Sequence, residues 1–152
     1  MNRTPIEFLR EAFARLGGAT EEREEDARRE SGARGEDLAA RTLRGEGYSI
    51  LERNFRTPVG EIDVIGEERG ILCFIEVKWR RDAGSGHPAE AVTREKQRRL
   101  SRAAEWYLAK TKRFDAICRF DVVAILAEEG SAPAVEILRD AFRGPFPPRR
   151  RR

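Results

Sequence analysis

The chain has 152 residues, 39% hydrophobic and 38% charged, which suits one ordinary domain whose charge fraction exceeds the usual ~25%. No apolar stretch approaches the ~18 residues of a membrane span, and the first residues are too charged for a secretory signal, so a cytoplasmic protein without a membrane anchor is expected. Two cysteines and one histidine, His87, cannot build a His/Cys zinc site.

The 30 Lys and Arg stand against 27 Asp and Glu, for a net charge of +3. They are segregated: EEREEDARRE covers Glu21 to Glu30, REKQRRLSR is basic, and the chain ends in RRRR. Basic clusters favour a polyanionic partner, most often nucleic acid.

In chain order, Thr4-Pro5-Ile6-Glu7 is a capping-box pattern. Ile6, Leu9, Phe13 and Leu16 then follow at helical spacing. This predicts an amphipathic helix that either docks on its own domain or engages a protein partner. A charged linker runs to Ala33. Residues 1–33 are thus an extension, 34–142 the domain, and 143–152 a flexible basic tail.

Within the domain, GEDLAARTLRGEGY reads as a helix ending near Gly45 to Gly47. YSILERNFR, GEIDVIG and GILCFIEVKWR read as three strands, the last two joined through Glu67 to Gly70. RRDAGSGHP is a loop. Thr93 caps a long helix, TREKQRRLSRAAEWYLAK. RFDVVAILA is a strongly apolar strand and AVEILRDAF a weaker strand or turn. Short turns imply an antiparallel meander, and the long helix implies a crossover to a parallel strand. The expected fold is α/β, a mixed sheet flanked by helices. Cys73 and Cys118 are expected to be buried thiols.

Alternation places Leu72, Phe74, Glu76 and Lys78 on one face of their strand. A turn at Glu68-Arg69 sets Asp63 opposite Phe74 and Glu61 opposite Glu76, so Asp63 joins Glu76 and Lys78 as a diagonal neighbour. An odd loop or a bulge would instead send Asp63 to the other face. Glu36 shares the buried helix face of Ala39, Ala40 and Leu43. Gln97 falls on the stripe of Leu100, Ala103, Ala104, Tyr107 and Leu108.

Clustered carboxylates repel unless a cation sits among them. An oxygen-only set suits Mg²⁺ or Mn²⁺, which can activate water at a phosphodiester. Lys78 would act on that water or on the phosphate. Arg80, Arg81, Arg94, Lys96, Arg98 and Arg99 would hold flanking phosphates. Each group also has a plainer reading. Glu76 and Lys78 could be an ion pair, Asp63 could accept a backbone N–H, and Glu36 could favour a helix N-terminus.

An aspartate followed by E-x-K on the next strand, with an upstream helical glutamate, resembles the PD-(D/E)-x-K nuclease superfamily. GEDLAARTLRGEGYSILERNFR, GEIDVIG, FIEVKWR, AVTREKQRRL and RFDVVAI, in this order, resemble the YraN-type family of small bacterial proteins. The match runs from about Arg34 to Phe142. It implies a restriction-endonuclease-like core, with Asp63 and Glu76 as metal ligands, Lys78 as the catalytic lysine and Glu36 as the helical acid. Gln97 matches loosely a polar helical residue of some members. The implied activity is metal-dependent hydrolysis of structured or branched DNA, and a resolvase role would favour a homodimer. A nucleic-acid-binding module without turnover, or an interaction protein using the N-terminal helix, are the other classes.

Overall fold

Three apolar runs separated by two short turns can bury their backbone polar groups only by pairing with one another. They do so as an antiparallel meander: β1 (Ser49–Thr57), β2 (Gly60–Glu68) and β3 (Ile71–Arg80). The computed structural model describes residues 32–80 and 92–145. The expected N-terminal helix, the stretch holding Arg81 and His87, and the arginine tail lie outside them. A helix over residues 32–45, α1, precedes the meander. The helix α2 (Arg94–Thr111) then crosses over to β4 (Cys118–Leu126), which lies parallel to β3, and β5 (Ala134–Phe142) pairs antiparallel with β4. The sheet order is β1-β2-β3-β4-β5. The weaker C-terminal pattern is thus a full edge strand.

The hairpin between β2 and β3 departs from the sequence expectation. The register pairs Glu68 with Ile71, Glu67 with Leu72 and Val64 with Ile75. The turn is therefore Arg69-Gly70, one residue later than expected. Both residues have positive φ, 50° and 77°, as a two-residue turn matched to strand twist requires. Gly70 adopts this without a side-chain clash and Arg69 takes the left-handed region. The turn keeps its even length, and Asp63 lies close enough to Glu76 for their carboxyls to interact. The register moves by two residues, and the line of pairing carries Asp63 to Glu76 itself rather than to Phe74.

Each face of the sheet is covered. Ile65, Leu72, Phe74, Phe120 and Val122 pack with Leu100, Ala103, Ala104, Tyr107 and Leu108 of α2. Val64, Cys73, Ile75, Val123 and Ile125 pack with Ala39 and Leu43 of α1. Phe74 sits centrally, edge-on to Tyr107 at 5.9 Å and tilted against Phe120 at 5.7 Å. Truncating such a residue to alanine costs about 3–5 kcal/mol. Cys73 is buried and Cys118 half-buried. Burial pushes their thiols up to about 12 and about 11, so both stay protonated and unreactive.

Two local devices set the helices. Thr93 caps α2, its hydroxyl accepting the Lys96 N–H at 3.2 Å. At the start of α1, Gly35 is buried, and a Cβ there would meet Trp79 Cε3 at 3.0 Å. The missing side chain lets α1 begin hard against the end of β3, beside the charged residues.

Candidate functional site

The charged residues of β2 and β3 meet where their ladder stops. The last backbone pair is Val64 with Ile75. Beyond it the Asp63 Oδ2 accepts the Val77 N–H at 2.8 Å. A side chain has taken over a bond of the sheet. Alternation lapses here too: Ile62 packs on the α2 side, while Val64 packs on the α1 side.

Asp63 lies against Glu76, and burial is what most disturbs it. Burial, and after it the nearby Glu76 charge, push the Asp63 carboxyl up to about 7 from 3.8. The Val77 N–H pulls the other way, and Glu36 adds a smaller upward push. Glu36, half-buried on α1, is therefore within electrostatic reach of the pair.

Glu76 is buried, with 4% of its surface exposed. Its Oε1 lies 3.4 Å from Lys78 Nζ and 3.5 Å from Lys96 Nζ. Its Oε2 is buried and meets no hydrogen-bond donor among the described residues. A buried carboxylate oxygen without a partner is costly. Such an atom is what a divalent cation would satisfy; without one, a proton held by Asp63 can be shared with Glu76. No group of three or more carboxylate, His or Cys side chains is arranged to hold a metal among the described residues. Mg²⁺ commonly takes one or two carboxylates and fills its remaining positions with water and phosphate oxygens, so the pair fits it without a third protein ligand.

The other expected residues divide. Lys78 stands in the site as alternation required. Gln97 is half-buried, and its Nε2 donates to the Val92 carbonyl at 3.0 Å, which ties the residues before α2 to its first turn. Lys96, expected at flanking phosphates, points its ammonium at Glu76. Its place at the margin of the α2 apolar stripe was the available signal. Arg94, Arg98 and Arg99 are exposed on α2, and Arg99 pairs with Glu95 at 2.6 Å. Arg80 is half-buried at the end of β3. Arg81 lies outside the described residues.

Beside the pair is a cleft of about 310 Å³ between the β1–β2 turn and α2, lined by Arg56, Thr57, Gly60, Glu61, Lys96 and Arg99. A roomier cleft, about 590 Å³, opens at the opposite end of the sheet, where Arg119 and Arg139 line it. Those arginines are engaged with Glu68, and Arg119 also with Asp121, so the larger space has less free charge to offer.

Fold and site together define a mixed α/β domain, a five-stranded sheet flanked by helices with two carboxylates and two lysines at one end. The model of the Uncharacterised protein family UPF0102 matches residues 35–125. The chain belongs to that family. It is 47% identical over 115 residues to a UPF0102 protein of Desulfosudis oleivorans, covering 76% of this chain and 91% of the relative. It is 53% identical over 116 residues to one of Chlorobaculum parvum, covering 73% and 90%. A third, from Rhodococcus opacus, is 50% identical over 111 residues, covering 73% and 94%. No helix among the described residues is long and apolar enough to cross a membrane.

Proposed function

We propose that this domain is a metal-dependent nuclease of the PD-(D/E)-x-K type with a restriction-endonuclease-like core, cleaving structured or branched DNA in the cytoplasm. One observation carries the reading: the buried Glu76 Oε2, with no donor among the described residues, opposite Asp63. Asp63 and Glu76 would hold Mg²⁺ or Mn²⁺, with Glu36 nearby to accept a water of its shell. The bound cation would supply Lewis-acid polarisation of the phosphodiester and a more acidic water. Lys78, 3.4 Å from Glu76, would leave its ion pair to orient that water or to meet charge developing on the phosphate. Lys96 is placed to neutralise Glu76 until metal binds, and afterwards to contact the phosphate.

The test is a cleavage panel of duplex, flap, four-way junction and single-stranded DNA with Mg²⁺ or Mn²⁺. Metal-dependent cleavage that Asp63→Asn abolishes supports the reading. Intact substrates under both metals, with DNA still bound, would sink it. A second reading, a DNA-binding module without turnover, is favoured by the bonds that already serve the pair: the Val77 N–H on Asp63 and two lysines on Glu76. It would leave salt-sensitive binding unchanged by metal.

A further inference from the structure

The outer surface of α2 carries residues that neither its packing nor the carboxylate pair uses. Its buried stripe is Leu100, Ala103, Ala104, Tyr107 and Leu108. On another side lie Arg99, Arg102 and Trp106, at i, i+3 and i+7, all exposed. Trp106 is 50% exposed, which leaves part of its indole open beside the arginines. Arg102 has no ion-pair partner among the described residues, and Arg99 holds only the exposed Glu95. The stripe begins inside the cleft beside the site, because Arg99 and Lys96 both line it, and Lys96 reaches Glu76.

We infer that this stripe is a track for an unpaired nucleic-acid strand, with Arg99 and Arg102 on its phosphates and Trp106 stacked on a base. The track rests on the nuclease reading above for where it leads. Cations spaced along a groove with an aromatic face among them are how single strands are held without sequence preference. A duplex offers phosphates to the arginines but no free base face to the indole. The helix rise sets Trp106 about 15 Å from Lys96 along the axis, so a base stacked there would lie a few nucleotides from the carboxylate pair. The preferred substrate would thus carry a single-stranded segment beside the cleavage point, as a flap or an opened junction does. A protein partner on Trp106 is the competing occupant. It has little to recommend it in the flanking arginines, which suit a polyanion.

The experiment uses the full chain in EDTA, so that binding is read without cleavage. Labelled duplex is compared with the same duplex bearing a short single-stranded flap. Trp106→Ala should weaken flap binding at least about five-fold, the lower end of one stacked base, and leave duplex binding within two-fold. Trp106→Phe should restore most of the loss. Intrinsic fluorescence of the wild type should be quenched by oligo-dT, and the Trp106→Phe variant, whose remaining indole is Trp79, should lose that quench. Flap binding by Trp106→Ala within two-fold of the wild type, or a quench that persists in Trp106→Phe, overturns the inference, as does an effect seen only with an added protein. A Trp106-dependent flap preference without cleavage under any metal leaves the track standing and removes the nuclease reading. Cleavage indifferent to Trp106→Ala does the reverse.

Discussion

The two ends of the sheet handle buried charge in opposite ways. At the far end, Glu68, Arg119, Asp121, Arg139 and Tyr48 form a closed network. Asp121, fully buried, accepts the Tyr48 hydroxyl at 2.9 Å, Arg119 Nε at 2.9 Å and the Asp140 N–H at 2.8 Å. Arg119 also binds Glu68, to which Arg139 donates from Nε and one terminal nitrogen. Burial opposes the Arg119 charge, but the Asp121 and Glu68 carboxylates keep it firmly protonated. At the near end, two carboxylates face each other and one oxygen goes unserved among the described residues. A satisfied network stabilises a fold, and an unsatisfied pair is a place prepared for something else.

The comparison can be broken by substitution. Asp121→Ala should cost about 3–5 kcal/mol, because it strands the buried Arg119 charge. Urea melts would show it, and a shift under 1 kcal/mol would mean that the network is ornamental. Lys78→Ala should lower metal-dependent cleavage on the order of 10²-fold with little change in the melt. If instead it unfolds the protein and spares the activity of the folded fraction, the near end is structural like the far one.

The two ends should also titrate with opposite sign. The Asp63 carboxyl is raised to about 7 in the folded chain from 3.8, so the metal-free native state holds a proton that the unfolded chain releases. Stability should fall as pH rises from about 4 to about 7, and Asp63→Asn should flatten that slope. Glu68 is lowered from 4.5 to about 2, chiefly by the hydrogen bonds from Arg139. Its contribution should be complete above pH 4.5 and lost as pH falls toward 2. Urea midpoints across pH 2–8, for the wild type and for Asp63→Asn and Glu68→Gln, separate the two. The smallest effect belongs to neither end: breaking the exposed Arg53–Asp37 pair, 2.7 Å, should change stability by under about 1 kcal/mol.

Much of the near end was legible because alternation is a strong rule. Glu76 and Lys78 follow Phe74 in steps of two, and Glu36 follows from the spacing of Ala39, Ala40 and Leu43. The register differs by two residues from the one that a Glu68-Arg69 turn would give, because the turn is Arg69-Gly70. Gly70 at the second turn position was the signal, since positive φ there is the condition for so tight a hairpin. The far end is not legible in the sequence. Asp121 inside an apolar strand raised the same question as Asp63, but its answer needs Tyr48, β2, β4 and β5 together, which no single periodicity links. The reach of Lys96 to Glu76 was not legible, because its backbone position, at the edge of a stripe, says less than the reach of a long flexible side chain.

The tight β2–β3 turn has a consequence for how the molecule assembles. Asp63 and Val77 are joined by a bond spanning 14 residues of chain, so the acidic pair belongs to a local hairpin. The ammonium of Lys96 comes from α2 and reaches Glu76 only when that helix docks on the sheet. Local contacts form early and crossovers late. The pair would therefore form with Lys78 as its near counter-charge, before Lys96 arrives. Stopped-flow chevrons should show Asp63→Asn speeding folding and Lys96→Met mainly speeding unfolding. The reverse pattern would place the crossover ahead of the hairpin.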